Sequence, residues 1–323
     1  MRAVVRDRYG TADVLRVVTV DDPVPGPADA VVRVAAASLN TADLDHLLGR
    51  PRAARVATGL VRPAHRGVGL DLAGTVESVG SDVTGVQPGD RVWADLFDSG
   101  HGAFADRVRV PASALTPLPD GVPFETAATA PHSGTLALQS VRSVGPVREG
   151  ERVLVNGAGG CVGPFAVQLA KARGAVVTAV DHGGKAAFLR ELGADETVDH
   201  TREDVTRGGR RFDVVVDIAD TRPFLAFRRC LAPGGRYVLV ARRLGSFLGT
   251  AALGTPVGAL TGVRAGTFAW RPNQRADLDE LAALLSSGAV RPRVDRTYFL
   301  DEAPDAFRHL AAGTSRGKLL IVP

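Results

Sequence analysis

The run Val153-Leu-Val-Asn-Gly-Ala-Gly-Gly-Cys-Val-Gly163, continuing into Pro164-Phe-Ala-Val-Gln-Leu-Ala-Lys-Ala-Arg-Gly174, has the residue types needed to hold a pyrophosphate. It reads as an apolar strand, a turn of small residues and an amphipathic helix. That order brings unpaired N–H groups and the positive end of a helix dipole to one spot, where a phosphate settles. The fingerprint register is Ala158-x-Gly160-x-x-Gly163, with alanine in place of the first glycine. Ala158, Gly159, Gly160, Cys161 and Val162 are therefore expected to line the phosphates. The next apolar run, Ala175 to Val180, ends in Asp181, 21 residues after Gly160. That is close to the ~20-residue interval at which an acid meets the adenosine ribose. A carboxylate there accepts from both ribose hydroxyls and repels a 2′-phosphate, so Asp181 favours NADH. NADPH stays open, because Lys185 and His182 can form a phosphate pocket if Asp181 turns away.

Two further sets of side chains can move protons. His132 stands in Ala130-Pro-His-Ser-Gly-Thr135, at the start of a helical pattern. An imidazole there can donate to an oxyanion at neutral pH, or be a core histidine satisfied by a carbonyl. Ser133 and Thr135 can meet the cofactor or cap the helix. Asp45 beside His46 pairs an acid with an imidazole, which serves proton transfer or is simply two polar residues on a short helix. Cys161 and Cys230 are the only cysteines, too few for a metal cage and weak evidence for a disulfide. Cys161 reads as a small filler in the turn.

The elements that must position these groups fall into two kinds. The first ~120 residues carry short apolar runs (Ala3–Val5, Val14–Val18, Val31–Ala37, Gly74–Val79 and Arg91–Ala94) between Pro- and Gly-bearing turns, a β-rich pattern. From Phe124 the period becomes helical, over 124–130 and 133–142. From about residue 151 strands alternate with helices, through Phe212–Asp217 and Gly235–Ala241, which predicts a doubly wound parallel sheet. The stretch Leu244–Arg271 is expected to be an apolar loop carrying substrate selectivity, with Phe247, Leu248, Phe268 and Trp270 as a wall. Interdomain packing or a dimer contact explains the same aromatics. Helices over 276–287 and 301–310 and a closing strand, Gly317–Val322, are expected to return to the first domain.

Composition excludes several classes. Hydrophobic residues are 45% and charged residues 23% of the 323, an ordinary globular balance. No run of about 18–20 uncharged apolar residues predicts a membrane span, and the N-terminus lacks a signal-peptide core, so a cytoplasmic enzyme is expected. The net charge is +4, with basic clusters only at Arg207–Arg211 and Arg242-Arg243. No concentrated basic face with a reading motif is seen, which argues against nucleic acid. Of the 39 basic residues only three are lysine.

Across nearly its whole length the chain resembles the medium-chain dehydrogenase/reductase superfamily, in its zinc-free quinone-oxidoreductase-like branch. The resemblance rests on Ala37-Ser-Leu-Asn-Thr-Ala-Asp43, Gly69-Leu-Asp-Leu-Ala-Gly-Thr-Val-Glu-Ser-Val-Gly80, Gln87-Pro-Gly-Asp-Arg-Val92 and Gly102-Ala-Phe-Ala-Asp-Arg-Val108. The nucleotide turn, Leu192-Gly-Ala-Asp195, Thr201-Arg-Glu-Asp204 and Ala311-Ala-Gly-Thr-Ser-Arg-Gly-Lys318 extend it. The implied fold is a GroES-like β-rich catalytic domain, residues 1–122 completed by about 270–323, around a Rossmann dinucleotide-binding domain, 123–269, with the active site in the cleft between them. Zinc-dependent relatives carry a cysteine where Asn40 stands and a histidine–glutamate pair at Leu70-Asp71, so no zinc is expected.

The resemblance implies that Asn40 contacts the cofactor ribose or the substrate carbonyl, although capping of the following helix is equally open. It puts Asp45 where relatives often have tyrosine or histidine, and His132 on a helix facing the nicotinamide. It also puts Val240 and Phe268 in the cofactor set. Without a metal, hydride transfer suits an acceptor that is already polarised, such as a quinone or an enone. The expected function is zinc-independent NAD(P)H-dependent reduction of a small apolar carbonyl substrate of that kind, with a homodimer left open. Two alternatives remain: a biosynthetic reductase or reductive cyclase on a polyketide or polyene, and a non-catalytic NAD(P)H-binding scaffold or redox sensor.

Overall fold

The computed structural model describes residues 1–143, 145–240 and 243–323. It divides into two compact units, the first comprising Met1–Thr135, Arg271–Gly288 and Pro292–Pro323, the second Leu136–Trp270 and Ala289–Arg291. Strands, and helices of eight residues or more, are labelled in chain order. They begin with β1 (Arg2–Val5), β2 (Arg16–Thr19), β3 (Asp29–Leu39), α1 (Thr41–Leu48), β4 (Asp71–Val79), β5 (Arg91–Asp95), β6 (Arg107–Pro111), β7 (Thr116–Pro117) and α2 (Pro131–Ser143). The series β8 (Arg152–Asn156), α3 (Gly163–Lys171), β9 (Val176–Asp181), β10 (Glu196–Asp199), β11 (Phe212–Asp217), β12 (Leu231–Leu239), α4 (Leu244–Thr261) and β13 (Arg264–Thr267) follows. The chain ends with α5 (Arg275–Ser286), β14 (Val294–Phe299), α6 (Ala303–Ala311) and β15 (Lys318–Val322).

In the first unit β3 is the longest strand and the organiser. It buries Val32, Val34, Ala37 and Leu39 in one core, the phase of the strand shifting at the irregularity between Val34 and Ala36, and it pairs antiparallel with β4, β6 and β15. The sheet runs β14-β15-β3-β4-β5-β7, so the last strand of the chain sits inside the sheet. Its apolar face closes over Leu47, Leu72, Phe104 and Phe307, all fully buried. A chain leaving β3 therefore reaches α1 with Asn40 at the helix cap, next to Lys318 at the N-terminal end of β15.

The second unit is a six-stranded parallel sheet in the order β10-β9-β8-β11-β12-β13. The apolar β8 and β11 lie at its centre with both faces covered, as their unbroken Val/Leu runs require. The chain thus has the α/β fold with a Rossmann-type sheet and a β-rich partner.

Several sequence expectations need correction. Val14 lies in a single 3₁₀ turn, with β2 starting at Arg16. Strand β12 begins at Leu231 rather than Gly235 and ends at Leu239, while Ala241 lies outside the described residues. The expected loop after it is mostly the 18-residue helix α4, followed by β13. Two of its glycines are contact points. A Cβ on Gly254 would lie 2.6 Å from the Ala265 carbonyl, and one on Gly258 equally close to that of Val263. Glycine at both positions lets α4 lie directly on β13.

Candidate functional site

In the second unit, the residue that makes the tight turn after β8 is Gly157, at φ +85°, a conformation that favours glycine. The fingerprint register started one residue later and missed it. A Cβ there would meet the Ala219 backbone at 2.9 Å, and the Asn156 carbonyl accepts from Ile218 and Ala219, welding the turn to the end of β11. Beneath it Asn156 Nδ2 and the Tyr237 hydroxyl donate to the two carboxylate oxygens of Asp217, at 2.8 and 2.9 Å. Burial pushes the Asp217 carboxyl up to about 6. Gly163 opens α3 where a Cβ would lie 2.4 Å from the carbonyls of Gly157 and Ala158. Gly160 is different, since its Cβ would meet only the Gly157 carbonyl, at 3.7 Å. Such a backbone is open to a phosphate at Gly160 and tight elsewhere, which fits a dinucleotide.

Asp181 ends β9 at this turn. Its carboxylate accepts from the Gly159 N–H at 2.8 Å and from the His182 N–H at 2.9 Å. The buried Lys185 ammonium lies 3.6 Å from it and donates to the Gly159 carbonyl at 3.0 Å. The two residues thus grip Gly159 from both sides. Ala158, Cys161 and Val162 are buried in the turn, Val240 is buried just beyond β12, and Phe268 follows β13 half-buried.

A second constellation lies wholly in the first unit. His132, the second residue of α2, is buried, with Nδ1 2.9 Å from Asp95 Oδ2. Its backbone N–H donates to Asp71 Oδ1 at 2.7 Å. Asp95 closes β5 and is held in turn: its Oδ1 accepts from the Phe97 N–H at 2.8 Å, and Asn273 bonds both its backbone N–H and carbonyl. Burial alone would lower the His132 imidazolium. The Asp95 carboxylate, by charge and hydrogen bond, and Asp71 outweigh that and raise it above the usual histidine value.

Asn40 joins the same cluster. Its Oδ1 accepts from the Ser133 hydroxyl at 2.7 Å and from the Lys318 ammonium, and its Nδ2 donates to Asp71 Oδ2 at 2.9 Å and to the Ser38 carbonyl at 3.4 Å. An amide offers two donors and two acceptor positions. All are engaged by protein here, so an outside ligand would have to displace one of them. Lys318 also touches Asp71 and Ser133. Asp43, at the third position of α1, accepts from the Asn40 N–H at 2.8 Å. Burial, reinforced by the Asp71 charge, pushes its carboxyl up to about 7. Burial likewise holds Asp71 above the ordinary carboxylate range despite Lys318.

The remaining candidates are placed elsewhere in this unit. Asp45 is half-buried on α1, its backbone carbonyl accepting from Gly49 and Arg50. Its neighbour His46 stacks on His101 at 4.7 Å and is pushed down to about 4 by burial and by the Arg6 charge. Thr135 donates its hydroxyl back to the carbonyls of Pro131 and His132 within α2, a back-bond inside the helix and not a cap. The sequence reading missed Asp95, Asp43 and Lys318. One signal was available: an aspartate ending the apolar run Val92-Trp-Ala-Asp95 and a lysine opening a closing strand are ionic groups where burial is expected.

The chain matches the model of the alcohol dehydrogenase GroES-like domain over residues 26–120 and that of the zinc-binding dehydrogenases over 192–321. A quinone oxidoreductase of Pseudomonas aeruginosa is 32% identical over 98% of this chain and 97% of its own length. The chain belongs to the zinc-free quinone-oxidoreductase-like branch of the medium-chain dehydrogenase/reductase superfamily. A mitochondrial NAD(P)H oxidoreductase of Mus musculus is 31% identical over 99% of this chain and 89% of its own. The solved quinone oxidoreductase of Coxiella burnetii superposes with a TM-score of 0.86 at 28% identity, covering 100% and 99% of the two chains.

Membership makes this protein an oxidoreductase that uses a nicotinamide dinucleotide, and the turn at Gly157–Gly163 has the shape for it. Zinc is another matter. The donors beside Asp71 are an amide and a hydroxyl, and the Lys318 ammonium already sits on them. That set does not suit zinc. Among the described residues no helix is long and apolar enough to cross a membrane.

Proposed function

We propose that this medium-chain dehydrogenase/reductase reduces an α,β-unsaturated carbonyl compound or a quinone, with His132 as the proton donor. The observation that carries the reading is the buried His132–Asp95 pair, braced by Asp71, in a unit whose metal-ligand positions hold Asn40 and Leu70. The bound cofactor supplies a hydride. Gly157 to Gly163 receive its pyrophosphate, and the Asp181 carboxylate stands at the ribose end, which favours NADH over NADPH.

Hydride addition to an enone moves the π electrons onto oxygen and leaves an enolate; a quinone becomes the hydroquinone monoanion. Either needs one proton. With Nδ1 committed to Asp95, the His132 imidazolium carries its second proton on Nε2, and the Asp95 and Asp71 carboxylates favour that charged form against the cost of burial. Asp45 is not required for this. Asn40, tied by Ser133, Lys318 and Asp71, fixes the start of α1 rather than contacting substrate.

The test is a panel of quinones and enones mixed with NADH or NADPH and purified protein, following nicotinamide oxidation. Turnover faster with NADH, and lowered in His132→Asn by loss of kcat rather than cofactor affinity, supports the reading. No oxidation across the panel with either dinucleotide refutes it.

A further inference from the structure

Arg6 is a buried guanidinium without a carboxylate. It lies just after β1, is 3% exposed, and makes no ion pair with a described residue. Its Nη1 donates to the His46 carbonyl in the last turn of α1, and its Nε, also buried, has no hydrogen-bond partner among the described residues. The acid whose charge reaches it is Asp43, and burial pushes that carboxyl up to about 7, so little countercharge is offered. Taking a cation out of water without a partner is costly, and the guanidinium fork is the side chain best shaped for a carboxylate.

Imidazoles complete the surroundings. The His46 and His101 rings stack at 4.7 Å, and the His65 ring lies 5.9 Å from that of His101. Burial deepens inward: His65 is exposed, His46 and His101 are half-buried, and Arg6 is enclosed. Burial and the Arg6 charge hold His46 down at about 4, although the Asp45 and Asp95 carboxylates face it. Burial, with His46, Arg6 and His65, holds His101 at about 3. Both rings are therefore neutral near pH 7 with one N–H each to donate, and His46 Nδ1 is buried without a partner. The set carries a single charge, that of Arg6. Its approach is cationic too, since between Asp45 and Asp71 the sequence has five arginines, two histidines and no aspartate, glutamate or lysine. Arg50, Arg52 and Arg62 in that stretch are exposed and make no ion pair with a described residue.

We propose that the substrate carries a carboxylate, set off from its enone or quinone by one aromatic ring or a short chain, and that Arg6, His46 and His101 receive it. This rests on the reading of His132 as the proton donor, because the spacing is taken from that residue. The Phe97 ring lies 6.0 Å from the His132 ring and 5.3 Å from that of His46. Phe97 is thus an apolar wall between the imidazole that protonates and the cluster that holds the acid. A monoanion matches the single charge of the set, whereas a phosphate dianion would find no second cation in it. Arg6 fixes the end of the substrate that does not react and so orients the end that does.

The probe is para-carboxylated benzylideneacetone, compared with its methyl ester, using the intact protein and NADH. The wild type is expected to favour the acid about tenfold in kcat/KM, although the ester is the more electron-poor enone. Arg6→Met should cut the acid-to-ester ratio about tenfold or more, through KM, and His46→Leu about threefold or more. His46→Leu decides the matter if Arg6→Met does not fold, since it removes a ring whose Nδ1 has no partner. His132→Asn should slow both probes and keep the ratio. Equal use of acid and ester by the wild type, a ratio indifferent to the variants, or variants that impair both probes alike overturns the proposal. If neither probe is reduced, the substrate reading fails and the carboxylate site is decided by NMR titration with para-carboxylated benzylacetone, the saturated ketone. Displaced His46 and His101 imidazole signals then uphold it, and unmoved signals overturn it.

Discussion

Replacing Asp43 by asparagine isolates the energetics of the buried ionic cluster. Asp43 sits fully enclosed at the start of α1, where burial raises its carboxyl from 3.8 to about 7. Between those values the native protein holds a proton that the unfolded chain releases. Stability therefore falls as pH rises through that window, unlike the familiar case of a carboxylate with a lowered pKa. A shift of about 3 units corresponds to about 4 kcal/mol of penalty fully expressed above pH 7. Asparagine keeps the size and an oxygen for the Asn40 N–H, so the helix cap survives, but it cannot ionise. Urea unfolding of the first unit can be followed by Trp93, fully buried there, in a Trp270→Phe background. Relative to wild type, Asp43→Asn should gain up to about 4 kcal/mol between about pH 4 and about pH 8. Parallel pH–stability curves for the two proteins would refute the reasoning.

Four other outcomes are expected. Asp95→Asn should remove the support that raises His132, moving the alkaline limb of the kcat–pH profile to lower pH and lowering kcat about tenfold or more; an unmoved limb denies His132 its role. Lys318→Met should leave Asp71 without its cation and cost about 3–5 kcal/mol in urea unfolding; a loss below about 1 kcal/mol would show that the cluster reorganises freely. Gly160→Asp should weaken dinucleotide binding about a hundredfold by setting a carboxylate against the pyrophosphate, with an unchanged melting temperature because no atom crowds that Cβ; calorimetric titration giving wild-type affinity would remove the turn from the cofactor site. Asp181→Ser should raise the NADPH:NADH ratio of kcat/KM about tenfold by freeing Lys185 and the Gly159 N–H; an unchanged ratio separates Asp181 from cofactor choice.

The two kinds of site differed in how far the sequence disclosed them. The glycine turn is local: strand, turn and helix are contiguous, so spacing alone located it, and only the identity of the left-handed residue, Gly157, needed coordinates. The ionic cluster is not local. Asn40, Asp71, Asp95, His132 and Lys318 come from five segments, and each residue type is common on surfaces, so nothing short-range marks them as neighbours. His132 stands out because the family resemblance puts it at the start of a helix facing the nicotinamide, whereas Asp95, its immediate partner, sits in no such motif. Helix α4 was misjudged for a different reason. Glycine and proline usually break helices, but close packing on β13 and an uncharged run outweighed propensity there.

Lys318 bonds Asn40 across 278 residues of sequence, and its strand β15 lies inside the sheet beside β3. A growing chain consequently makes the β3 edge, Asp71 and Asn40 long before the ribosome delivers their partner. Until residue 318 emerges, the first unit has an open seam and an unneutralised acid at its centre, a natural point for chaperone engagement. Removing the last few residues should therefore be felt at the opposite end of the sequence, as aggregation through the exposed β3 backbone rather than as a frayed tail.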